Sequence, residues 1–264
     1  MYEKERLKIG FLGFGNMAQA IAKGWLKKGV LSGDRLFASG RNLEKLEKNT
    51  LELGIQASSS NQALIQAVDM VILAVKPGQI KDVALEFKEE LKEKIVVCVA
   101  VGIHWEELSD SLAEGTQHIS IFPNTPISIG EGATNVEEKH SLSDESYQVF
   151  LELFESISVV TTVVTSQMAV AGVINGCGPA FTALFIEAVA DGAVKYGLSR
   201  SEAYQLASQT IKGTGQLQLE TGEHPGVMKD AVTSPGGTTI KGVAALEENA
   251  FRSSVIQAFD AILK

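Results

Sequence analysis

The sequence predicts an α/β protein, with an N-terminal doubly wound sheet followed by an all-α C-terminal domain. Three observations carry that expectation. Short apolar runs rich in β-branched residues alternate with helical spacing as far as Val164. The first such run, residues 8–12, passes directly into the glycine turn Gly13-Phe14-Gly15. From Ser166 onward the strand signals vanish.

The elements follow in order. After the glycine turn, Met17, Ile21 and Trp25 fall at i, i+4 and i+8, the stripe of a helix. Residues 35–39 read as a second strand ending at Gly40-Arg41-Asn42, followed by a polar helix, a short segment at 54–57 and a helix over 61–67. Residues 71–75 are wholly apolar, as in a parallel strand buried on both faces, and Lys76-Pro77-Gly78 ends that ladder at its proline. Residues 95–101, 118–122 and 158–164 repeat the strand pattern. Helices are expected over 166–174, 179–196, 200–219 and 240–263. Two of these are apolar on several sides, through Phe181, Leu184, Phe185, Ala188 and Val189 in one and Leu206, Ala207, Ile211, Leu217 and Leu219 in the next. In so small a helical domain, such faces point to sharing with a second subunit. The expected division is residues 1–164 and 165–264.

Composition narrows the function. At 264 residues with 45% apolar and 21% charged residues, the chain can bury a core of ordinary globular character. The net charge of −9 and the lack of a Lys/Arg stripe argue against a nucleic-acid partner. Cys98 and Cys177 lie far apart, and the four histidines are scattered, so neither a disulfide framework nor a metal site is expected. The chain begins with a charged segment before a short apolar run, and no uninterrupted apolar stretch approaches about 18 residues, so no membrane partner is expected. A cytoplasmic location is the default.

The glycine turn carries chemistry. Gly13-x-Gly15-x-x-Ala18 stands between a strand and a helix, the context of a Rossmann-type dinucleotide site. Its first glycine permits the tight turn, its second admits a pyrophosphate, and Ala18 allows close helix packing. At the end of the second strand there is no carboxylate for a ribose hydroxyl until Glu44; Ser39-Gly40-Arg41-Asn42 stands there instead. A hydroxyl and a guanidinium suit a 2′-phosphate, favouring NADP(H) over NAD(H). Arg41 as a solvated loop charge is the competing reading. Lys76 stands beyond a strand edge, where it serves a cofactor ribose, a substrate or only the surface.

A second anion-friendly segment lies near the other end of the chain. Thr233-Ser234-Pro235-Gly236-Gly237-Thr238-Thr239 leads into an amphipathic helix expected from Ile240. Free amides and the positive helix end suit a carboxylate or phosphate, although an ordinary Ser-Pro-Gly helix start has the same local pattern.

Together with the blocks Ala74-Val75-Lys76-Pro77, Pro123-Asn124-Thr125-Pro126 and Gly176-Cys177-Gly178-Pro179-Ala180-Phe181, these motifs resemble pyrroline-5-carboxylate reductase over nearly the whole length. The resemblance implies NAD(P)H-dependent reduction of a cyclic imine carboxylate to L-proline. It implies cofactor contacts from Gly13, Phe14, Gly15, Asn16, Met17 and Ala18. Further contacts are implied from Ser39, Arg41 and Asn61, then from Ala74, Val75 and Lys76, and from Val99 and Val101. Ser234, Gly236, Gly237, Thr238 and Thr239 match the substrate loop, with the Thr239 hydroxyl facing the ring nitrogen as the catalytic group. A C-terminal dimerisation domain is implied, giving a homodimer whose pairs can assemble into a decamer. The chain departs from the family pattern at Asn175 to Phe181, at Ser120-Ile121-Phe122 where an Arg is common, and at Ala100-Val101-Gly102. A reductase of a related imine or keto acid, and a non-catalytic NADP-binding protein, are the alternatives. Cys177 has no His or Asp near it in sequence and reads as a small packing residue.

Overall fold

In the computed structural model, residues 7–264 are described; the charged start of the chain lies outside them. The first unit is built on strands β1 (Ile9–Leu12), β2 (Leu36–Ser39), β3 (Gln56–Ala57), β4 (Met70–Leu73), β5 (Ile95–Cys98), β6 (Gln117–Pro123), β7 (Gly132–His140) and β8 (Ser158–Val163). They form one eight-stranded sheet in the order β3-β2-β1-β4-β5-β6-β7-β8. All neighbours pair in parallel except β6 and β7. Helices α1 (Asn16–Lys28), α2 (Leu43–Leu53), α3 (Asn61–Ala67), α4 (Pro77–Glu86), α5 (Trp105–Ser109) and α6 (Asp144–Glu155) connect them.

Alternation along the strands explains why both faces are covered. Ile9, Phe11, Met70, Ile72, Ile95 and Val97 point into one buried cluster. Leu12, Val71, Leu73, Val96 and Cys98, from the intervening positions, point into another. On the first face Trp25 is fully buried, donates from Nε1 to Leu153 O at 2.8 Å and meets Phe154 edge-on. On the second, burial pushes the Cys98 thiol up to about 12, so it packs as a neutral group.

Several boundaries differ from the sequence expectation. The β4 ladder ends at Leu73, and Pro77 does not close it but opens α4, where a missing N–H costs nothing. β7 was not expected because its Gly-Ala-Thr-Asn-Val-Glu-Glu-Lys-His sequence is polar along most of its length.

The segment from Thr165 to Lys195 is one continuous helical run of 31 residues, not two helices. It contains α7 (Met168–Gly172), a π-turn over Val173–Cys177 and α8 (Gly178–Lys195). Asn175 lies in that turn, buried, and its Nδ2 donates to Phe122 O (3.0 Å) and Ala133 O (3.1 Å). These bonds hold the widened turn on β6 and β7. By length and composition this run is apolar enough to cross a membrane, a property that counting uninterrupted apolar residues did not register.

The chain divides into two compact units between Pro179 and Ala180. The second contains most of α8, then α9 (Arg200–Thr221), α10 (Pro225–Ala231), α11 (Thr238–Glu248) and α12 (Phe251–Leu263). α9 begins with a reciprocal cap between Ser199 and Glu202. The expected single helix over 240–263 is broken: Asn249 ends α11, and Ala250 sits at φ 59° before α12. Large apolar side chains stand in the open along these helices, among them Leu184 (67%), Leu219 (62%) and Ile256 (63%).

Candidate functional site

The strand order reverses between β1 and β4, and the crevice at such a reversal is where open α/β sheets bind ligands. A cavity of about 730 Å³ lies there. Its floor is the turn between β1 and α1. Gly13 has φ 89°, and a Cβ there would meet Ala74 O at 2.9 Å, so the fold itself demands glycine. Gly15 differs, since a Cβ on it would meet nothing within 4 Å. The open space beside Gly15 therefore belongs to the cavity rather than to packing. Helix α1 starts at Asn16 with no side-chain cap and no acidic residue in its first turn. Its first N–H groups, from Asn16, Met17 and Ala18, have no intrahelical acceptor. An uncapped, positive helix end beside open glycine backbone fits a pyrophosphate.

Of the residues expected from sequence, Gly13, Phe14 and Gly15 line this cavity, as do Ser39, Arg41 and Asn61, and Ala74, Val75 and Lys76. Asn16, Met17, Ala18, Val99 and Val101 do not line it. Ala18 is buried against the sheet, Val99 is buried just past β5, and Val101 is exposed in the loop that follows. The Ser39 hydroxyl is not free. It donates to Asn61 Oδ1 at 2.7 Å, which leaves Asn61 Nδ2 as the donor for a ligand.

Sequence reasoning missed other lining residues. Lys45 stands in the first turn of α2, four residues after Arg41, and both line the cavity. Asn42 between them caps α2 by accepting from Lys45 N at 2.9 Å. Two cations at one helix start make a stronger phosphate site than Arg41 alone, and the Arg-x-x-x-Lys spacing was the available signal. Ser58, Ser59 and Ser60 add small polar groups, while Asp82 and Glu86 place negative charge on the α4 wall. Among the described residues no cluster of His, Cys, Asp or Glu is suited to hold a metal.

The second anion segment is described within the helical unit. Helix α11 begins at Thr238, two residues earlier than expected, so Thr238 and Thr239 occupy its first turn. Gly237 is the uncapped N-cap, and no acidic residue follows in that turn. The Gly237 N–H donates to Ser234 O at 3.0 Å, so it closes the turn. Gly236 adopts φ 71°, which glycine allows without strain. The amides left free by helix geometry are those of Thr238, Thr239 and Ile240. Ser234, Thr238 and Thr239 are exposed.

Comparison with known proteins gives a consistent result. Residues 165–264 match the model of pyrroline-5-carboxylate reductase dimerisation, and residues 8–102 match that of NADP oxidoreductase, coenzyme F420-dependent. The chain is 40% identical to a pyrroline-5-carboxylate reductase of Treponema pallidum, over 97% of this chain and 99% of that protein. It is 36% identical to one of Escherichia coli, over 95% and 94%. A crystal structure of the Plasmodium falciparum pyrroline carboxylate reductase with NADP bound superposes with a TM-score of 0.86 at 30% identity, covering 98% of this chain and 96% of that one. The chain belongs to the pyrroline-5-carboxylate reductase family.

Proposed function

We propose that this protein reduces 1-pyrroline-5-carboxylate to L-proline with NADPH, the last step of proline biosynthesis. The observation that carries the reading is the cavity at the sheet reversal, where the glycine turn that leads into the uncapped start of α1 lines one space with Arg41 and Lys45, in a chain similar to such reductases along its length.

In this reading residues 1–164 are the NADP-binding domain and residues 165–264 the helical substrate and dimerisation domain. The amides of Asn16, Met17 and Ala18, with Gly13, Phe14 and Gly15 beside them, receive the pyrophosphate. Arg41 and Lys45 take the 2′-phosphate, so NADH, which lacks it, is the poorer donor. Asn61, oriented by Ser39, joins Ala74, Val75 and Lys76 along the cofactor, and Val99 and Val101 flank it from the loop after β5.

When bound, the reduced nicotinamide supplies the hydride for the imine carbon. The protein holds the acceptor. The substrate carboxylate meets the free amides of Thr238, Thr239 and Ile240 at the positive end of α11, with the Ser234 hydroxyl beside it. Gly236 and Gly237 shape that turn. The Thr239 hydroxyl bonds the ring nitrogen. A protonated cyclic imine is already electrophilic, so no acid–base pair is required. Positioning of this kind supplies roughly 7–11 kcal/mol of a barrier in favourable cases. Two copies pair through the C-terminal helices, which explains an apolar run of membrane-spanning length without a membrane, and the pairs assemble into a decamer. The reading places the protein in the cytoplasm.

The test is a steady-state assay at 340 nm with a panel of cyclic imine carboxylates and either NADPH or NADH. Thr239→Val is expected to lower kcat with pyrroline-5-carboxylate by about tenfold or more. Arg41→Ala is expected to raise the NADPH KM by about tenfold and leave that for NADH unchanged. Full turnover by Thr239→Val, or an unchanged NADPH KM in Arg41→Ala, sinks the corresponding assignment.

A further inference from the structure

The loop after β5 carries Val99 and Val101 with little regular structure of its own. Val99 N–H bonds Leu73 O at 3.2 Å, and Ile103 N–H closes a turn on Ala100 O at 3.3 Å. Beyond Gly102, at φ 78°, the chain reaches Trp105 and the short helix α5. Glu137 on β7 holds it there. Its side chain is fully buried, and its two carboxylate oxygens serve two different segments. Oε2 accepts the Trp105 N–H at 2.7 Å, and Oε1 accepts the Thr165 hydroxyl at 2.6 Å. His104 Nδ1 lies 3.9 Å from Oε1.

A buried carboxylate is costly, and an apolar residue of similar size packs such a position at least as well. Stability is therefore a poor reason for Glu137 to be there. Both oxygens of this carboxyl group act as acceptors, each with its own donor. No apolar side chain can bridge a loop amide and a helix-start hydroxyl.

We propose that Glu137 is a positioning residue for the cofactor site. It ties the loop after β5 to β7 and to Thr165, and so fixes where Val99 and Val101 stand. This rests on the assignment of Val99 and Val101 to the cofactor made above.

Two variants of the full chain separate geometry from charge. Glu137→Gln can keep both bonds, accepting from Trp105 through Oε1 and donating from Nε2 to the Thr165 oxygen. Glu137→Ala removes both. NADPH affinity is measured by fluorescence titration, turnover by steady-state kinetics, and the Trp105 bond by amide hydrogen exchange. Glu137→Ala is expected to raise the NADPH Kd about tenfold and to speed exchange at Trp105, with kcat at saturating NADPH within about twofold of the parent. Glu137→Gln is expected to stay within about twofold of the parent Kd. An unchanged Kd in Glu137→Ala overturns the proposal, as does a fall in kcat with Kd intact. If Glu137→Ala does not fold, Thr165→Val, which removes one arm, is expected to raise Kd about threefold. Parent-like affinity and Trp105 exchange in that variant overturn the proposal equally. A parent protein that fails to bind NADPH overturns the functional reading, and this inference with it, before any variant is compared.

Discussion

His118 is buried on β6, its ring stacked on Trp105 with centroids 5.2 Å apart and its Nδ1 within 3.0 Å of Thr116 O. Burial holds this imidazole below its ordinary 6.5, outweighing the hydrogen bonds and the Glu137 charge that pull the other way. As the pH drops below 6.5, the unfolded chain gains a proton that the folded protein still refuses. Stability is therefore full above that value and is lost as the pH falls toward the lowered folded pKa. Urea unfolding of the parent and His118→Gln from pH 7.5 to 5 is expected to show a steeper acid loss in the parent, the difference approaching about 1.4 kcal/mol per pH unit at most. Parallel curves refute the assignment. Residues differ in how openly the sequence shows such roles. Gly13 and Gly15 were legible because motif spacing encodes backbone geometry, and Arg41 because a strand end without a carboxylate is noticeable. Lys45 and Glu137 were not. One depends on which face of α2 turns to the cavity, the other on a partner amide 32 positions away in sequence.

At the level of elements, the break between α11 and α12 is the sharpest departure from local preference. Ala250 is the non-glycine residue found at positive φ among the described residues, and its N–H bonds Glu247 O at 3.0 Å. A left-handed alanine costs about 1 kcal/mol, which glycine avoids. Ala250→Gly is expected to raise the urea midpoint by an amount worth about 0.5–1 kcal/mol, read by circular dichroism, while leaving turnover unchanged. A lower midpoint would count against the strain. The same break explains why the sequence read one helix over 240–263: an alanine gives no stop signal. The π-turn at Val173–Cys177 is the opposite case, in which glycines and Pro179 read as a break yet the helix continues. Asn175 and its two carbonyl partners on β6 and β7 hold that turn together, and local propensity cannot show a tertiary bond. The strands were legible wherever both faces are buried, and β7 was missed because its charged residues hide a strand whose middle is buried.

At the scale of the whole molecule, the family match at residues 165–264 assigns pairing to helices whose apolar side chains stand open in one chain. Leu184→Glu combined with Leu217→Glu is expected to shift the protein from dimer to monomer in sedimentation velocity and to lower its melting temperature. A variant that sediments as the parent does moves the interface elsewhere. The exposed faces of α8, α9 and α12 also make protein concentration a thermodynamic variable. Whatever binds only the folded chain stabilises it by mass action, and here that ligand is another copy of the same chain. Dilution should then act as a mild denaturant, so the melting temperature and specific activity of one preparation will drift together with the amount loaded into the cuvette.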